Sequence, residues 1–365
     1  MSAVQSIFQS LVSTNKIDFS ALSTKQNKAV SDILKCHTPQ CGFNSDICEQ
    51  CGHMVIHYNS CKNSNCPQCQ AVNREKWILK RKYDTLNIPY FHIVFTVPSQ
   101  LNPLFLWRPR IMYDILFMSV SQTLMSLSED KKYLGAKIGF TSVLHTWGQN
   151  LSLHPHLHVI VSGGGMTNDG KWKASKKRFF LPVRVMSAVF RGKFLDHVKS
   201  NLMNEPRSDK QMLKEIIDQC YAADWVVYSK KPMKDPGHVI EYLGRYTHRI
   251  AISNGRILSH ENGMVTFRYK DYSDHNRIKK MALAEEEFFR RFMLHILPKG
   301  MSRMRHYGFL GNRNKSVRLK ILRALTETPE PEPFIYDPIA IISRLLKRDI
   351  TLCPCCRQKM HPLKE

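Results

Sequence analysis

Residues 141–165, TSVLHTWGQNLSLHPHLHVIVSGGG, contain the pattern that most constrains the fold. The alternation in the second half predicts a β-hairpin whose second strand covers residues 156–162. His156 and His158 then point to one face of the sheet, and Leu157 points to the other. Because strand geometry fixes the separation of two such imidazoles, the pair can bind a divalent metal ion in cis.

A third ligand for this ion is expected on the preceding strand or its turn. His145 is the first choice because a hairpin can bring it opposite His156, and Gln149 is the alternative. His154 precedes Pro155, which lacks a ladder donor, so His154 is interpreted as the entrance of the strand. An isolated His-x-His is more often a polar face exposed to water, so the ligand interpretation depends on the rest of the chain.

The composition is strongly basic. The 365 residues include 54 Lys and Arg against 30 Asp and Glu, which gives a formal net charge of +24. A polyanionic partner is the simplest explanation; nucleic acid is the first candidate and a membrane surface is the alternative. No apolar run is long enough to span a bilayer, and residues 1–20 lack a signal-peptide pattern, so the expected location is the cytoplasm.

The cysteines are concentrated in two places. Of 11 cysteines, seven lie between Cys36 and Cys69 and three between Cys353 and Cys356. In a reducing compartment such clusters indicate metal binding, and two C-x-x-C knuckles separated by a short hairpin supply four thiolates to one zinc ion. Spare donors allow a second ion. The candidate structural zinc ligands are Cys36, Cys41, Cys48, Cys51, His53, Cys61, Cys66 and Cys69.

The carboxyl-terminal cysteines are harder to assign. Residues 326–338, TETPEPEPFIYDP, predict a proline-rich acidic linker, and the run CPCC follows near the end of the chain with only His361 nearby as a further donor. This knuckle is either half of a site completed from elsewhere or a vestige. The sequence leaves both interpretations open.

A second chemically distinctive stretch covers residues 238–257, HVIEYLGRYTHRIAISNGRI. Its first half predicts a helix that places Tyr242 and Tyr246 one turn apart on one face, and its second half predicts a strand that turns at Asn254-Gly255. A phenol with its usual pKa of about 10 needs a neighbouring cation or metal ion to become a nucleophile, and such cations are close in the sequence. Taken alone, two tyrosines at this spacing are more often a packing stripe. The neighbouring basic residues are Arg245, His248 and Arg249.

Further basic residues are candidates for contacts with nucleic acid. Residues 265–272 predict a strand in which Lys270 alternates with aromatic residues, an arrangement that suits stacked bases and phosphates. A half-buried edge strand is an equally good interpretation. The stretch 302–315 adds Arg303, Arg305, His306 and Arg313 as candidate phosphate contacts.

The order of the predicted elements indicates an α+β fold with an antiparallel sheet and packed helices. We expect a helical lead-in over residues 1–33, a zinc-binding domain over 34–72 and a connector helix over 73–88. A catalytic domain is expected over 89–315. A linker and tail with the cysteine knuckle are expected over 316–365.

Several motifs, in this order, resemble IS91-type insertion-sequence transposases, which are HUH single-strand nucleases with a zinc-binding domain in front. The motifs are FHIVFTVP, VLHTWGQNLSLHPHLHVIVSGGG, WVVYSKKP, YLGRYTHRIAISN, FRYKDY, RFMLHILPKG and RHYGFLGNR. The resemblance implies the HUH endonuclease fold. It also implies that His156 and His158 hold Mg²⁺ or Mn²⁺, although an all-imidazole site is unusual for Mg²⁺.

The resemblance further implies that Tyr242 and Tyr246 cleave and rejoin single-stranded DNA through a 5′-phosphotyrosine in rolling-circle-type transposition. The motif does not give the third metal ligand. This chain has Phe43 where a histidine is expected, and an extra Cys41, which leaves the number of zinc ions at one or two.

The implied partners are single-stranded DNA at transposon ends and target, in a bacterial cytoplasm and in association with the nucleoid. The chain has no nucleotide-binding Gly-Lys-Ser/Thr loop, so strand separation would come from a host helicase or the replication machinery. Two alternatives remain open at this point. One is a zinc-dependent DNA-binding protein that cuts nothing, and the other is a replication initiator or relaxase with the same chemistry.

Overall fold

The computed structural model describes residues 1–176, 181–205, 209–230, 239–242, 244, 250–272, 274–332 and 335–363. Across those residues, no helix combines the length and apolar character that crossing a bilayer requires.

The amino-terminal part consists of two helices, a hairpin and a third helix. Helices α1 (Ala3–Ser13) and α2 (Thr24–Lys35) each begin with a capping box, formed by a serine and the glutamine three residues later. Both lie where a helical lead-in was expected. The remaining elements are strands β1 (Phe43–Ile47) and β2 (Met54–Tyr58), helix α3 (Gln70–Lys82), and 3-10 turns at Phe19–Ala21 and Pro39–Cys41.

The middle of the chain builds most of the central sheet. Its elements are strand β3 (Tyr90–Thr96), a 3-10 turn (Ser99–Leu101), helices α4 (Asn102–Trp107) and α5 (Pro109–Glu129), and strands β4 (Lys137–Trp147), β5 (Leu153–Met166) and β6 (Trp172–Ala174). The predicted hairpin is confirmed, because β4 and β5 pair antiparallel along most of their length.

The last part alternates helices and strands. In order they are α6 (Val183–Leu202), α7 (Lys210–Ala222), β7 (Val227–Ser229), helical residues 239–242 and 244, a 3-10 turn (Asn254–Arg256), β8 (Ile257–Glu261), β9 (Met264–Asp271), β10 (Arg277–Ala284), α8 (Glu285–Leu294), β11 (Met304–Gly308), α9 (Lys315–Leu325), α10 (Pro338–Leu346) and β12 (His361–Pro362). We call residues 239–242 and 244 the tyrosine segment.

The central sheet has the strand order β11-β4-β5-β3-β7, with β6 paired to the end of β5, and its pairs are antiparallel. One face packs on α5 and α6, where Phe95 contacts Phe190 with ring centroids 5.2 Å apart. Leu157 and Val159 are fully buried in this core, as the alternation predicted. Burying side chains of this size contributes about 1.5–3 kcal/mol each, so the register of β5 is strongly fixed.

Glycines at the end of β5 allow neighbouring backbones to come close. A Cβ atom on Gly163 would lie 2.6 Å from the carbonyl oxygen of Pro89. A Cβ atom on Gly165 would lie 2.6 Å from the carbonyl oxygen of Lys137. Glycine is therefore required at these positions, because β5 passes so close to two neighbouring backbone segments that a Cβ atom has no room.

A second core joins the amino-terminal helices to the three-stranded sheet β10-β9-β8 and to α8. Phe8 of α1 lies edge-on to Phe289 and Phe292 of α8, with ring centroids 5.1 and 5.3 Å apart. Trp147, at the end of β4, is buried in the same core. The hairpin that carries the histidines is thus anchored in both cores.

The fold differs from expectation after the tyrosine segment. A strand turning at Asn254-Gly255 was predicted in the second half of residues 238–257, but residues 250–253 form no ladder, and β8 begins only at Ile257. Ile252 is fully buried in the second core. The apolar side chains here are buried although their backbone pairs with no strand. A pattern of apolar residues alone cannot distinguish such a buried segment from a strand.

Candidate active site

Three histidines meet on the face of the central sheet opposite α5 and α6. The β4–β5 register pairs His145 directly with His156, and Val143 with His158. One ring nitrogen from each of His145, His156 and His158 lies within 4.8 Å of the others. The register is the one expected from the sequence. The role of these side chains as metal ligands stays a prediction.

The backbone orients the ring of His156. Its Nδ1 lies 2.7 Å from the carbonyl oxygen of His154. Because a carbonyl oxygen only accepts, Nδ1 carries the proton and Nε2 carries the lone pair. A histidine held in this way is prepared to ligate a metal ion through Nε2, which is the usual arrangement around metal sites.

His92 of β3 extends the cluster. Its Nε2 lies 2.9 Å from Nδ1 of His158, and the two rings are stacked at 11° with centroids 5.1 Å apart. Burial, with a smaller effect of the nearby Lys230 charge, lowers the pKa of His92 to about 4. His92 is therefore neutral at physiological pH, with one N–H to donate and one lone pair to accept.

Tyr242 in the tyrosine segment lies beside this cluster. Its hydroxyl oxygen is 3.3 Å from Nδ1 of His92, and it accepts a hydrogen bond from Nζ of Lys230 at 3.1 Å. The Lys230 ammonium also lies 5.0 Å from the centre of the phenol ring. A continuous set of polar contacts thus joins Lys230, Tyr242, His92 and His158.

The other predicted residues of this stretch lie outside the described part of the chain. They are the second tyrosine and its basic neighbours, Tyr246, Arg245, His248 and Arg249.

Helix α3 supports the tyrosine segment from behind. A Cβ atom on Gly244 would lie 2.4 Å from Cδ1 of Ile78, so the Ile78 side chain packs directly on the glycine. One turn further along α3, Nζ of Lys82 lies 3.1 Å from Oε1 of Glu241. These contacts set the position of Tyr242 relative to the sheet.

Gln149, the alternative third ligand, lies after β4 in the loop to β5. Its amide nitrogen donates to the Tyr272 hydroxyl at 3.2 Å. Metal ligation through the side-chain oxygen is compatible with that bond but is not tested by it. His154 is exposed at the start of β5, and its backbone carbonyl is what orients His156.

Aromatic contacts continue behind His145. Its ring stacks on Trp147 at 18° with centroids 4.7 Å apart, and Trp147 lies edge-on to His295. His295 is 4% exposed, and its Nε2 donates to the Leu151 carbonyl at 3.1 Å. Burial lowers the pKa of His295 to about 4, so it supports the histidine cluster as a neutral side chain.

Two of the arginines expected to contact phosphate are engaged within the protein. The guanidinium of Arg303 lies 5.6 Å from the centre of the Trp147 ring. Arg305 forms an ion pair with Asp114 and lies 4.2 Å over the Phe117 ring. A phosphate contact at either position would compete with these contacts.

The other three expected DNA contacts differ in environment. Nδ1 of His306 is 2.8 Å from Oγ1 of Thr141, and burial lowers its pKa to about 4, so it is a neutral hydrogen-bonding group. Arg313 and Lys270 are exposed, with Nζ of Lys270 5.6 Å from the centre of the Tyr272 ring. Arg313 and Lys270 therefore remain the most accessible of the predicted contacts.

One cysteine cluster lies in the amino-terminal part. The Sγ atoms of Cys36, Cys61, Cys66 and Cys69 all lie within 4.8 Å of one another, and three of these residues are buried. Hydrogen bonds from Cys61 and Cys66 hold the pKa of the Cys69 thiol well below its usual range. Four sulfurs at this separation match the donor set of a tetrahedral structural zinc site.

The expected grouping of the knuckles is wrong. Cys48 and Cys51 do not share a site with Cys66 and Cys69 but meet Cys353 and Cys356. Among the described residues, Cys41 and His53 join neither cluster. A C-x-x-C spacing fixes the geometry within one knuckle, whereas the choice of its partner depends on tertiary structure.

Two residues of the candidate site were missed in the sequence. His92 stands within the apolar run YFHIVF, and the two-residue period of β3 places it on the same face as His158, a signal that was available. Lys230 directly follows β7. Only the pairing of β7 with β3 brings it to the site, so no local pattern identifies it.

Comparison with known proteins gives two family matches. Residues 139–317 match the family described as "Putative transposase", and residues 4–97 match "Transposase zinc-binding domain".

Two relatives are similar over nearly the whole chain. The chain is 40% identical over 369 residues to "Putative transposase y4qJ" of Sinorhizobium fredii, covering 97% of this chain and 93% of the relative. It is 28% identical over 352 residues to "Transposase for insertion sequence element IS801" of Pseudomonas savastanoi pv. phaseolicola, covering 91% and 82%. No solved structure gives a significant match.

Proposed function

Because the chain belongs to the IS91-type family of insertion-sequence transposases, we propose that it cleaves and rejoins single-stranded DNA on an HUH-type sheet through a 5′-phosphotyrosine. As a transposase it acts on the DNA of transposon ends. The proposed nucleophile for the first cleavage is Tyr242, and Tyr246 is the proposed second tyrosine. Rolling-circle-type transposition is the proposed outcome.

One observation carries this proposal. The Tyr242 hydroxyl lies within hydrogen-bond distance of both Lys230 and His92, and His92 contacts the histidine cluster through His158. A tyrosine buried for packing alone would not need a cation and a histidine at its oxygen. A phenol that must become a phenolate does, because charge-assisted hydrogen bonds stabilise the anion.

The three-histidine cluster fits a divalent cation. Its members are His145, His156 and His158, and the proton on Nδ1 of His156 leaves Nε2 available. All three donors are nitrogen, which suits Mn²⁺ better than Mg²⁺. When bound there, Mg²⁺ or Mn²⁺ would polarise the scissile phosphate.

The hydrogen-bond distances support a particular placement of protons in the proposed reactive arrangement. If Nε2 of His158 held the metal ion, the proton of His158 would reside on Nδ1 and be donated to Nε2 of His92. His92 then carries its own proton on Nδ1, facing the Tyr242 oxygen. His92 and Lys230 both donate to that oxygen, which favours the phenolate.

In the proposed step the Tyr242 oxygen attacks the scissile phosphorus after its proton has been released to water. The bond from phosphorus to the 3′ oxygen breaks, and this oxygen takes a proton from water and leaves as a free hydroxyl. The 5′ phosphate stays on the tyrosine. Rejoining reverses these bond changes with another 3′ hydroxyl.

The zinc-binding domain has a structural role in this proposal. Cys36, Cys61, Cys66 and Cys69 lie within the matched zinc-binding domain, and a tetrathiolate zinc site has no open position for catalysis. Cys36 follows α2, and Cys69 is the N-cap residue that precedes α3. The ion would therefore fix the start of the helix that supports the tyrosine segment.

The net charge of +24 supports single-stranded DNA as the partner. Arg313 and Lys270 are the exposed candidates for backbone contacts, and Arg245, His248, Arg249, Arg303, Arg305 and His306 are further proposed contacts. A host helicase or the replication machinery is proposed to supply the single strand.

The test is covalent capture. A labelled single-stranded oligonucleotide carrying a transposon end is incubated with the protein and Mn²⁺, and adducts are resolved on a denaturing gel. We expect an adduct with the native protein and with Tyr221→Phe, an exposed phenol of α7, and none with Tyr242→Phe.

Two results would contradict the proposal in different ways. An adduct that persists in Tyr242→Phe and disappears in Tyr246→Phe would transfer the first cleavage to the second tyrosine. Tight binding without any adduct would indicate a DNA-binding protein that does not cut.

A further inference from the structure

The last cysteines of the chain meet the first knuckle of the amino-terminal part. Sγ of Cys48 lies 3.4 Å from Sγ of Cys356, and Sγ of Cys51 lies 3.6 Å from Sγ of Cys353. All four sulfurs lie within 4.8 Å of one another. The two pairs are separated by 308 and 302 positions along the chain, so the cluster is built entirely by tertiary structure.

The two knuckles have the same backbone. The amide of Cys48 donates to the carbonyl of His53 at 2.9 Å, and the amide of Cys353 donates to the carbonyl of Gln358 at 2.8 Å. In each case the acceptor lies five residues after the first cysteine. Two matched turns that face each other present four sulfurs from opposite sides, as a tetrahedral ion requires.

The two knuckles also match at the residue that follows the second cysteine of each. Gly52 and Arg357 both have positive φ, at 69° and 63°, and both donate to the carbonyl of the first cysteine, at 2.8 and 3.0 Å. Glycine adopts this conformation readily, whereas arginine does not. Arg357 holds it because the turn that brings Cys353 and Cys356 to one point requires it.

We propose that Cys48, Cys51, Cys353 and Cys356 bind a second structural zinc ion, which fastens the carboxyl-terminal tail to the amino-terminal hairpin. Four thiolates so close together repel one another unless a cation lies between them. A disulfide would use only two of the four sulfurs and would not account for their common meeting point. With four protein ligands the site is closed, so its role is structural.

Other contacts of the tail are weaker than a metal site. Strand β12 adds to β1, with His361 opposite Ile47. Helix α10 lies on α3, where Arg344 pairs with Glu75 at 2.6 Å through an exposed guanidinium. Exposed pairs of this kind contribute little, and Ile341 is the one buried residue among those described in α10, so the zinc ion is proposed to be the main attachment of the tail.

The attachment reaches the active-site side of the molecule through α3. One part of this helix contacts the tail through Glu75, and the next turn lies against Gly244 through Ile78. The proposed second zinc site therefore holds the tail against the same helix that positions the tyrosine segment.

Metal content tests the assignment. The full-length protein is purified in reducing buffer without chelator, and zinc per chain is measured by inductively coupled plasma and native mass spectrometry. We expect two zinc ions in the native protein and in Cys355→Ser, which changes an exposed cysteine of the same knuckle. The double variant Cys353→Ser/Cys356→Ser is expected to retain one.

Three outcomes would overturn the proposal. They are a single zinc ion in the native protein, two zinc ions in the double variant, or a mass two hydrogens lower that maps to a disulfide between Cys48 and Cys356. Iron in place of zinc would also refute the assignment of the metal.

Tail retention provides a second readout that does not depend on activity. A site-specific protease sequence is inserted after Glu330, in the linker, and the cleaved protein is passed over a gel-filtration column. We expect the tail to co-elute with the body in the native background and in Cys355→Ser, and to separate in Cys353→Ser/Cys356→Ser. A tail that separates from the native protein, or that stays bound in the double variant, would contradict the proposed second zinc site.

Discussion

The Nδ1 atom of His92 lies 3.3 Å from the hydroxyl oxygen of Tyr242, although the two residues are 150 positions apart in the chain. The other ring nitrogen of His92 is 2.9 Å from His158. A single imidazole therefore connects the proposed nucleophile with the proposed metal site. A change in the charge or protonation of one group can therefore affect the other through these two hydrogen bonds.

Replacing His92 by phenylalanine tests this connection. The variant keeps a ring in the buried position but removes both hydrogen bonds, so we expect covalent adduct formation to slow by roughly 10–100-fold, the range for partners that orient metal ligands. Single-turnover adduct formation at saturating Mn²⁺ measures the rate.

The matched control is His197→Phe, on α6 at the opposite face of the sheet, where Nε2 contacts Gln122 at 2.9 Å. It should cleave at the native rate. Equal rates for His92→Phe and the native protein would show that the histidine plays no part in the reaction.

Replacing Lys230 by methionine removes the other donor to the Tyr242 oxygen. Hydrogen bonds to charged groups contribute about 1.5–3 kcal/mol, so the adduct should form roughly 10–100-fold more slowly at a given pH. The measurement is the single-turnover rate of adduct formation at saturating DNA, with Lys320→Met of α9, an exposed lysine, as the control. A rate that returns to the native value at saturating DNA would point to a role in binding DNA instead.

The histidine strand was predictable from the sequence because its information is local. A two-residue period determines which side chains share a face, and the hairpin places His145 opposite His156. The apolar partners Leu157 and Val159 are buried as the same period requires. Nothing beyond the hairpin itself was needed for these predictions.

The parts that failed depend on long-range structure. The spacing within Cys48 and Cys51 predicts a knuckle, but its partner lies about 300 positions away, beyond any local pattern. Lys230 is similar, since only the pairing of β7 with β3 brings it to Tyr242. His92 differs from both, because the two-residue period of β3 was enough to place it on the face of His158. It was missed because a histidine within an apolar run looks like part of a buried core strand.

Removing the histidines one at a time separates ligands from neighbours. His156→Ala and His158→Ala should each weaken Mn²⁺ binding at least tenfold and abolish the adduct, because each withdraws a nitrogen from the cluster of three. His154→Ala should bind Mn²⁺ within a fewfold of the native protein, since only its backbone carbonyl orients His156. Titration of free Mn²⁺ by electron paramagnetic resonance measures the affinity. Native affinity in His156→Ala would exclude that residue as a ligand.

Acid should destabilise the fold through His295. The folded protein keeps this side chain neutral, with its pKa lowered to about 4 by burial, whereas the unfolded chain binds the proton near pH 6.5. Between these values the unfolded state holds more protons, so stability is complete above pH 6.5 and falls as the pH is lowered towards 4. At about 1.4 kcal/mol per pKa unit, the loss from His295 between pH 7 and pH 5 is about 2 kcal/mol.

The variant His295→Gln isolates this contribution, because an amide can still donate to the Leu151 carbonyl and accept from the Thr146 hydroxyl without titrating. Urea unfolding at pH 7 and pH 5, followed by tryptophan fluorescence, gives the free energy of unfolding for both proteins. Contributions of His92, His306 and the zinc thiolates are shared and cancel in the comparison. The native protein should lose about 2 kcal/mol more than the variant over this interval. Parallel losses would mean that His295 is already charged in the folded protein, and the hydrogen bond it accepts from Thr146 would then have to be absent.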